Sequence, residues 1–146
     1  MMLLDLVLLL CAGLFAGAAV YVSLVEHPAR LTGGTMLAVT EFRPSYRRGA
    51  VMQASLAAVG ALSGTGDWAR GHGALPLIAG LLLAGAIAFT LVVILPTNKK
   101  LMDSTLDPGG DEAAALLARW GRLHAVRTAV GVAALLLAGL HRTGAS

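Results

Sequence analysis

The chain has 146 residues, of which 57% are hydrophobic and 13% charged, and its formal net charge is +3. This composition, with a mean hydropathy of +0.77, excludes an ordinary water-soluble domain and indicates an integral membrane protein. The eleven Lys and Arg form no long basic run, so we attribute the charge to membrane topology and expect no nucleic-acid partner. The single cysteine, Cys11, excludes an intramolecular disulfide and is expected to pack as a small apolar residue.

The first apolar run predicts a membrane helix over about residues 3–25, long enough to span a bilayer. No Lys or Arg precedes it, so we interpret it as a retained helix and not as a signal peptide. Gly13 and Gly17 allow close helix packing within one bundle or between subunits, which leaves monomer and homo-oligomer open. The helix is expected to end at the sequence Glu26-His27-Pro28, because Pro28 disfavours helical geometry in the residue before it.

Three further helices are predicted at about residues 44–62, 74–95 and 111–141. Pro44 and Pro76 are typical of first helical turns, and Asp111 is a typical N-cap. Loops are expected at 29–43, 63–73 and 101–110. The fold class is therefore all-α, an integral membrane four-helix up-down bundle that forms a single transmembrane domain over residues 1–146.

Positive charges concentrate beside the first and third connections of this bundle. The positive-inside rule then places those two connections in the cytoplasm and both termini on the extracytoplasmic side of the cell membrane. At the cytoplasmic end we expect a shared polar region, and its members are Glu26, His27, Arg48, Gln53, Asn98, His124, Arg127 and Thr128. His72 and His141 fall at the opposite end, which is otherwise nearly bare of polar groups, and are expected to be solvated.

The fourth helix carries the densest polar segment, from Arg119 to Thr128. An arginine or histidine at membrane depth is costly and marks a functional site by default. His124 and Thr128 are four residues apart on one helical face, and Arg127 is three from His124. Trp120 is typical of the membrane interface and is a further candidate for substrate binding.

Four motifs resemble those of the anthrone oxygenases, a family of small four-helix membrane proteins. They are Glu26-His27-Pro28-Ala29-Arg30 after helix one, Arg43-Pro44-Ser45-Tyr46 into helix two, Leu95-Pro96-Thr97-Asn98-Lys99 after helix three, and Trp120 with Leu123-His124 and Arg127-Thr128 in helix four. The resemblance covers nearly the whole chain by order and spacing. It implies a membrane-embedded oxygenase that acts on a lipid-soluble phenolic or polyketide-like substrate.

On this reading the candidate catalytic residues are His124 as base, Arg127 and Asn98 as stabilisers of a substrate oxyanion, and Glu26 and His27 as orienting or relaying groups. Gln53, Arg48, Thr128 and Trp120 are the candidate substrate-binding residues. The chemistry needs no cofactor, because a deprotonated anthrone can itself reduce O2.

Two cofactor alternatives stay open at this point. Glu26, His27 and His124 carry ligand types that suit iron, copper or zinc, although no local metal motif is present. A haem held by His27 and His124 is the other.

The contrasting interpretation is non-enzymatic, because buried His, Arg, Asn and Gln side chains can satisfy one another without doing chemistry. The protein would then be a small lipid-binding, ligand-binding, transport or assembly subunit with a structural polar region. An open cavity lined by unpaired polar groups would favour substrate binding instead.

Overall fold

The computed structural model describes residues 3–144, and within that range the chain is helical and contains no strand. Four long helices follow one another: α1 (Leu3–Thr32), α2 (Thr35–Ala69), α3 (Leu75–Met102) and α4 (Asp111–Arg142). Each helix packs mainly against its two neighbours in a ring, so that α1 contacts α2 and α4, while α3 contacts the same pair from the other side. The predicted all-α four-helix bundle is confirmed.

Three of these helices, α1, α3 and α4, are long and apolar enough to cross a membrane, counted over the described residues. The protein is therefore a membrane protein. The predicted second span, α2, does not reach that hydropathy. Its first part carries Glu41 and three arginines, and Gly, Ser and Thr dilute its second part.

The largest difference from the predicted elements concerns α2, which is 35 residues long instead of 19. We expected a loop at 29–43 and a second one at 63–73. The first is reduced to a tight reversal in which Gly34 has a φ of +88°, a conformation that favours glycine. Pro44 lies inside the helix and does not start it. The helix continues past Pro44 because Val39 and Phe42 before it are fully buried in a core cluster.

Two π-helical turns interrupt α1 and α3, at Val22–Glu26 and Thr90–Ile94. Each ends two residues before a proline, Pro28 or Pro96. A proline has no N–H to donate to the carbonyl four residues before it. The preceding residue in each case donates five residues back, from His27 to Val22 and from Leu95 to Thr90. π turns of this kind are frequent at functional sites.

The apolar core consists of two clusters along the bundle axis. One surrounds Leu8, Phe15 and Leu83, and the other surrounds Phe42 and Trp120. Gly64 allows α2 and α3 to pack closely in the first cluster, since a Cβ there would lie 2.3 Å from the Pro76 carbonyl oxygen. Polar side chains occupy the region where the two clusters meet.

The end of the bundle that holds both described termini is not bare, and that expectation was wrong. Asp67 is fully buried there and accepts hydrogen bonds from His72 Nδ1 at 2.8 Å and His141 Nε2 at 3.0 Å. Arg142 donates to Asp5 at 2.5 Å beside them. His72 and His141 were predicted to be solvated from their positions in a turn and at the C-terminal edge. Both bind Asp67, which lies in the last turn of α2 and not in the expected loop.

Candidate functional site

A small cavity lies among the four helices where the two core clusters meet. Its volume is about 50 Å³, enough for a few water molecules. Every helix contributes to its lining, which consists of Val22, Glu26, Arg30, Phe42, Ser45, Tyr46, Gly49, Ala50, Gln53, Thr90, Ile94, Asn98, Trp120, His124 and Arg127. We call this space the polar lobe.

The π turns set the register in which α1 and α3 line the polar lobe. Val22, Glu26 and Arg30 contribute from α1, at intervals of four residues. Thr90, Ile94 and Asn98 contribute from α3 at the same intervals, each at the position equivalent to its α1 counterpart relative to the π turn. The two proline-associated turns thus present equivalent faces to one cavity.

Asn98 and His124 are the most informative lining residues. Their exposed fractions are 1% and 3%. Both amide atoms of Asn98 and both ring nitrogens of His124 lack a hydrogen-bond partner among residues 3–144. Buried polar atoms are nearly always paired, and each unpaired one costs about 1–3 kcal/mol. Four such atoms at one cavity therefore indicate a site built to bind a polar group.

The His124 ring is held by stacking. It lies nearly parallel to Trp120, with centroids 4.7 Å apart and planes 8° apart. Thr128 Oγ1 lies 3.2 Å from the Ala19 carbonyl oxygen. Thr128 Oγ1 is 2.8 Å from Ser23 Oγ and donates to the His124 carbonyl at 3.0 Å, which ties α4 to α1. Thr128 is absent from the cavity lining, so it supports the backbone of His124 and does not face the cavity.

Arg127 forms the second polar feature of the cavity. Its guanidinium donates to Gln53 Oε1 and lies 5.1 Å from the centroid of the Phe15 ring. The Arg127 Nε atom has no hydrogen-bond partner in the described part of the chain. Arg127 Nε is therefore available to donate to a ligand oxygen while the guanidinium stays bound to Gln53.

Glu26 lines the cavity as part of an ionic cluster centred on Arg30. Arg30 donates to Glu26 and to Ser45 Oγ at 3.3 Å, and its Nε lies 2.7 Å from Glu41 Oε2 in an ion pair. The Arg30 side chain is 3% exposed, and its guanidinium lies 5.9 Å from the Trp120 ring centroid. Two carboxylates and two aromatic rings thus compensate this buried cation.

His27 is buried but does not line the polar lobe. Its ring packs against Trp120, with centroids 5.0 Å apart, and against Gly121 on α4. A Cβ at Gly121 would lie only 2.7 Å from His27 Nε2. Gly121 is required for this close packing.

The remaining predicted site residues divide in two. Gln53 and Trp120 line the cavity with Asn98, His124, Arg127 and Glu26. Arg48 is exposed and lines no described cavity. Sequence reasoning missed Arg30, Phe42, Ser45 and Tyr46. The four-residue spacing of Val22, Glu26 and Arg30 could have placed Arg30 on the same helical face as Glu26. It was overlooked because the first helix was predicted to end near Glu26.

The donor groups do not fit the metal alternatives. Across residues 3–144, no group of three or more His, Cys, Asp or Glu side chains is arranged to hold a metal ion, and Glu26, His27 and His124 form no such group. His124 lines the polar lobe and His27 does not, so these two rings do not face one cavity that a haem could share.

The fold and site together define a helical membrane protein with a buried polar cavity at the centre of its bundle. The family model of the anthrone oxygenases matches residues 42–137, more than half of the chain. The chain therefore belongs to the anthrone oxygenase family. Neither the curated proteins nor the solved structures contain a match to it.

Proposed function

We propose that the protein is a membrane-embedded oxygenase that converts an activated CH2 of a lipid-soluble phenolic or polyketide-like substrate to a carbonyl, using O2. One observation carries this proposal: the buried, unpaired side chains of Asn98 and His124 face one cavity that Arg127 also lines. A base, a hydrogen-bonding amide and a cation are the groups this reaction requires. Membership of the anthrone oxygenase family supports the same chemistry.

In the proposed reaction, an unpaired nitrogen of His124 removes a proton from the substrate CH2. The resulting anion is delocalised onto the substrate oxygen, where Arg127 and Asn98 stabilise it by hydrogen bonds. The electron-rich carbon reduces O2 and forms a C–O bond, which after protonation gives a hydroperoxide on that carbon. Loss of water from the hydroperoxide leaves the new carbonyl. One O2 is consumed, one of its oxygen atoms enters the product, and the other leaves as water.

The other polar residues have supporting roles in this proposal. Trp120 and Thr128 position His124 through the ring stack and the backbone hydrogen bond. Glu26, held by Arg30, lies where it can exchange protons between the cavity and the solvated end of the helices. His27 acts through Trp120 and contacts no substrate.

The membrane arrangement belongs to the same proposal. All four helices cross the cell membrane, the α1–α2 and α3–α4 connections are cytoplasmic, and both termini are extracytoplasmic. The support is the cluster of Arg43, Arg47 and Arg48 in the first half of α2 and of Lys99 and Lys100 near the end of α3. The polar lobe then lies toward the cytoplasmic side.

Oxygen uptake tests the proposed function. Purified protein in lipid nanodiscs is supplied with 1,8-dihydroxyanthrone, and O2 consumption and anthraquinone formation are recorded against empty nanodiscs. We expect one O2 per anthraquinone formed, and a loss of about 10²–10⁴-fold in kcat for His124→Ala, the range for removal of a general base. Wild-type protein that oxidises anthrone no faster than empty nanodiscs would exclude the function, and full activity of folded His124→Ala would exclude the base.

A non-enzymatic ligand-binding protein is the second candidate. The pairing of Arg127 with Gln53 and of Arg30 with Glu26 favours it, because these groups satisfy one another without substrate. Binding of an anthraquinone with no anthrone-dependent O2 uptake would decide for this candidate.

A further inference from the structure

A second cavity adjoins the polar lobe toward the other core cluster. Its volume is about 130 Å³, and its lining consists of Phe15, Tyr46, Ala50, Gln53, Ala54, Ala86, Ile87, Thr90, Leu91 and Arg127. Most of these side chains are apolar, so we call it the apolar lobe. Half of them, namely Tyr46, Ala50, Gln53, Thr90 and Arg127, also line the polar lobe. The two lobes are therefore adjacent.

The Gln53–Arg127 hydrogen bond lies at the boundary between the lobes, since both residues line both of them. The two lobes together, at about 50 and 130 Å³, are still smaller than the roughly 300 Å³ at which ligand pockets begin. A fused-ring molecule therefore needs lining side chains to move, and separation of the Gln53–Arg127 pair is the movement that would join the lobes. A ligand oxygen can replace Gln53 Oε1 as the acceptor for Arg127, so Arg127 keeps its hydrogen bond, and the displaced Gln53 amide must then pair with the ligand or with water.

The apolar lobe reaches the outer surface of the bundle between α2 and α3. Ala54 on α2 is exposed, and Leu91 on α3 has an exposed fraction of 59%. Leu91 belongs to a helix that is long and apolar enough to cross a membrane. Exposed apolar residues at this position therefore face lipid hydrocarbon, not water.

We infer that the apolar lobe is a docking site for the hydrocarbon part of the substrate, reached from the bilayer between Ala54 and Leu91. This inference rests on the proposed function for the identity of the substrate. It specifies the class: a flat, uncharged fused-ring compound with an oxygen atom and the reacting CH2 on opposite sides of its central ring. An outer ring occupies the apolar lobe, and the central ring lies between the lobes, with its oxygen toward Arg127 and Asn98 in place of Gln53 and its CH2 toward His124. A water-soluble charged phenol lacks the partition into lipid that this route requires.

Binding of a product-like ligand tests the docking site without turnover. Tritiated 1,8-dihydroxyanthraquinone is equilibrated with protein in nanodiscs, and retention above that of empty nanodiscs gives Kd. Ala54→Trp fills the opening from α2, and Leu91→Trp fills it from α3. A large side chain at either position would compete with the ligand for the same space, so we expect Kd to rise about 10- to 100-fold for each variant.

Matched controls place the same bulky residue on the lipid-facing surface outside the cavity. Ala58→Trp lies one helical turn from Ala54, and Val92→Trp adjoins Leu91; both positions are exposed and neither lines a described cavity. We expect their Kd to stay within about twofold of wild type, since surface substitutions change energies by about 0.5 kcal/mol or less. Circular dichroism and gel filtration show whether each variant is folded. If one of the two filling variants does not fold, the other alone tests the docking site.

The outcomes separate this inference from the proposed function. Weaker binding by the filling variants, with unchanged controls, supports the docking site even if wild-type protein consumes no O2; in that case the oxygenase function fails alone. Turnover by wild type with unchanged Kd and unchanged kcat/KM in a folded filling variant overturns the docking site and leaves the oxygenase function standing. No binding by wild type, or equal loss in filling and control variants, also overturns it.

Discussion

At the residue scale, the site depends on polar atoms that the folded chain leaves unpaired. Asn98 and His124 are both almost fully buried, and neither side chain has a hydrogen-bond partner among the residues described. Within the cavity these atoms can pair only with water or with a ligand. Polar groups kept free for binding lower the stability of the unliganded protein, which is the usual conflict between stability and function in a binding site.

Asn98→Leu tests this conflict directly. Leucine is close to asparagine in size and removes both unpaired amide atoms, so we expect the free energy of unfolding to rise by about 1–3 kcal/mol. Binding of 1,8-dihydroxyanthraquinone should weaken in the same variant. Thermal unfolding in detergent and the nanodisc binding assay provide the two measurements.

Ile94→Leu, one turn earlier on the same cavity face, is the control, and its stability should change by less than about 1.5 kcal/mol. A destabilised Asn98→Leu would mean that the amide is satisfied in the protein.

Residue chemistry, topology and the family resemblance together predicted much of the lining. Asn98, His124, Arg127, Gln53, Trp120 and Glu26 were all candidates from the sequence, because a polar side chain in an apolar helix is conspicuous. Phe42 and Tyr46 were missed, since aromatic residues near a membrane boundary are common and carry no individual signal. Arg48 could not be separated from its neighbours, because its direction depends on the rotation of α2, which no sequence pattern sets.

At the element scale, the helix ends and turns determine which side chains meet. The lengths of the apolar runs predicted helices at the positions of α1, α3 and α4. The sequence did not predict the π turns in α1 and α3. A proline signals a missing hydrogen bond and does not indicate whether the helix ends, kinks or widens there. Pro28 and Pro96 widen their helices, and the helix beyond each then supplies Arg30 and Asn98 to the cavity.

The contact between α1 and α4 at Gly121 provides a test at this scale. Gly121→Ala would place a Cβ 2.7 Å from His27 Nε2, so the ring or the helix must move. We expect a loss of about 1–3 kcal/mol in the free energy of unfolding, as for other overpacked contacts. The paired control is Gly139→Ala on the same helix, where a Cβ has nothing within 4 Å. That variant should be neutral or more stable by up to about 1 kcal/mol. Equal effects in the two variants would contradict the close packing of His27 on α4.

At the scale of the whole molecule, the two ends of the bundle hold different polar clusters. The end near the described termini contains Asp67 with His72 and His141, a cluster in which both carboxylate oxygens are paired. The unpaired side-chain atoms of Asn98 and His124 line the polar lobe, whereas the end near the described termini has one buried unpaired atom, Asp5 Oδ1, in a carboxylate whose other oxygen binds Arg142. We interpret the Asp67 cluster as structural and the polar lobe as functional, because fully paired buried polar groups rigidify a fold, whereas the unpaired groups of the polar lobe can bind a ligand.

Asp67→Ala separates the two ends by experiment. It leaves two imidazoles without their acceptor, so we expect the free energy of unfolding to fall by about 1–3 kcal/mol. The Kd for 1,8-dihydroxyanthraquinone in folded protein should stay within about twofold of wild type, because effects at distant sites are independent. His72→Ala should cost less, since its side chain is 33% exposed and water replaces part of the lost contact. A large change in Kd for Asp67→Ala would show that the two ends are coupled.

The membrane class and the family were the most predictable features of the molecule, and the Asp67 cluster was the least predictable. Hydropathy predicted a helical membrane protein, and motif order predicted the family. The Asp67 cluster could not be predicted, because its members lie far apart in the sequence and the Gly-rich segment 63–73 has the composition of a loop. The helical conformation of residues 63–69 comes from packing, with Gly64 against the backbone of α3.

The central claim is that the polar and apolar lobes together form one ligand site. A structure of the wild-type protein in nanodiscs saturated with 1,8-dihydroxyanthraquinone tests it most directly. We expect an outer ring of the ligand between α2 and α3 near Ala54 and Leu91, one ligand oxygen within hydrogen-bonding distance of His124 or Asn98, and Arg127 turned from Gln53 toward the ligand. A ligand bound only at the Asp67 end or on the outer lipid-facing surface, with the Gln53–Arg127 pair intact, would contradict the claim.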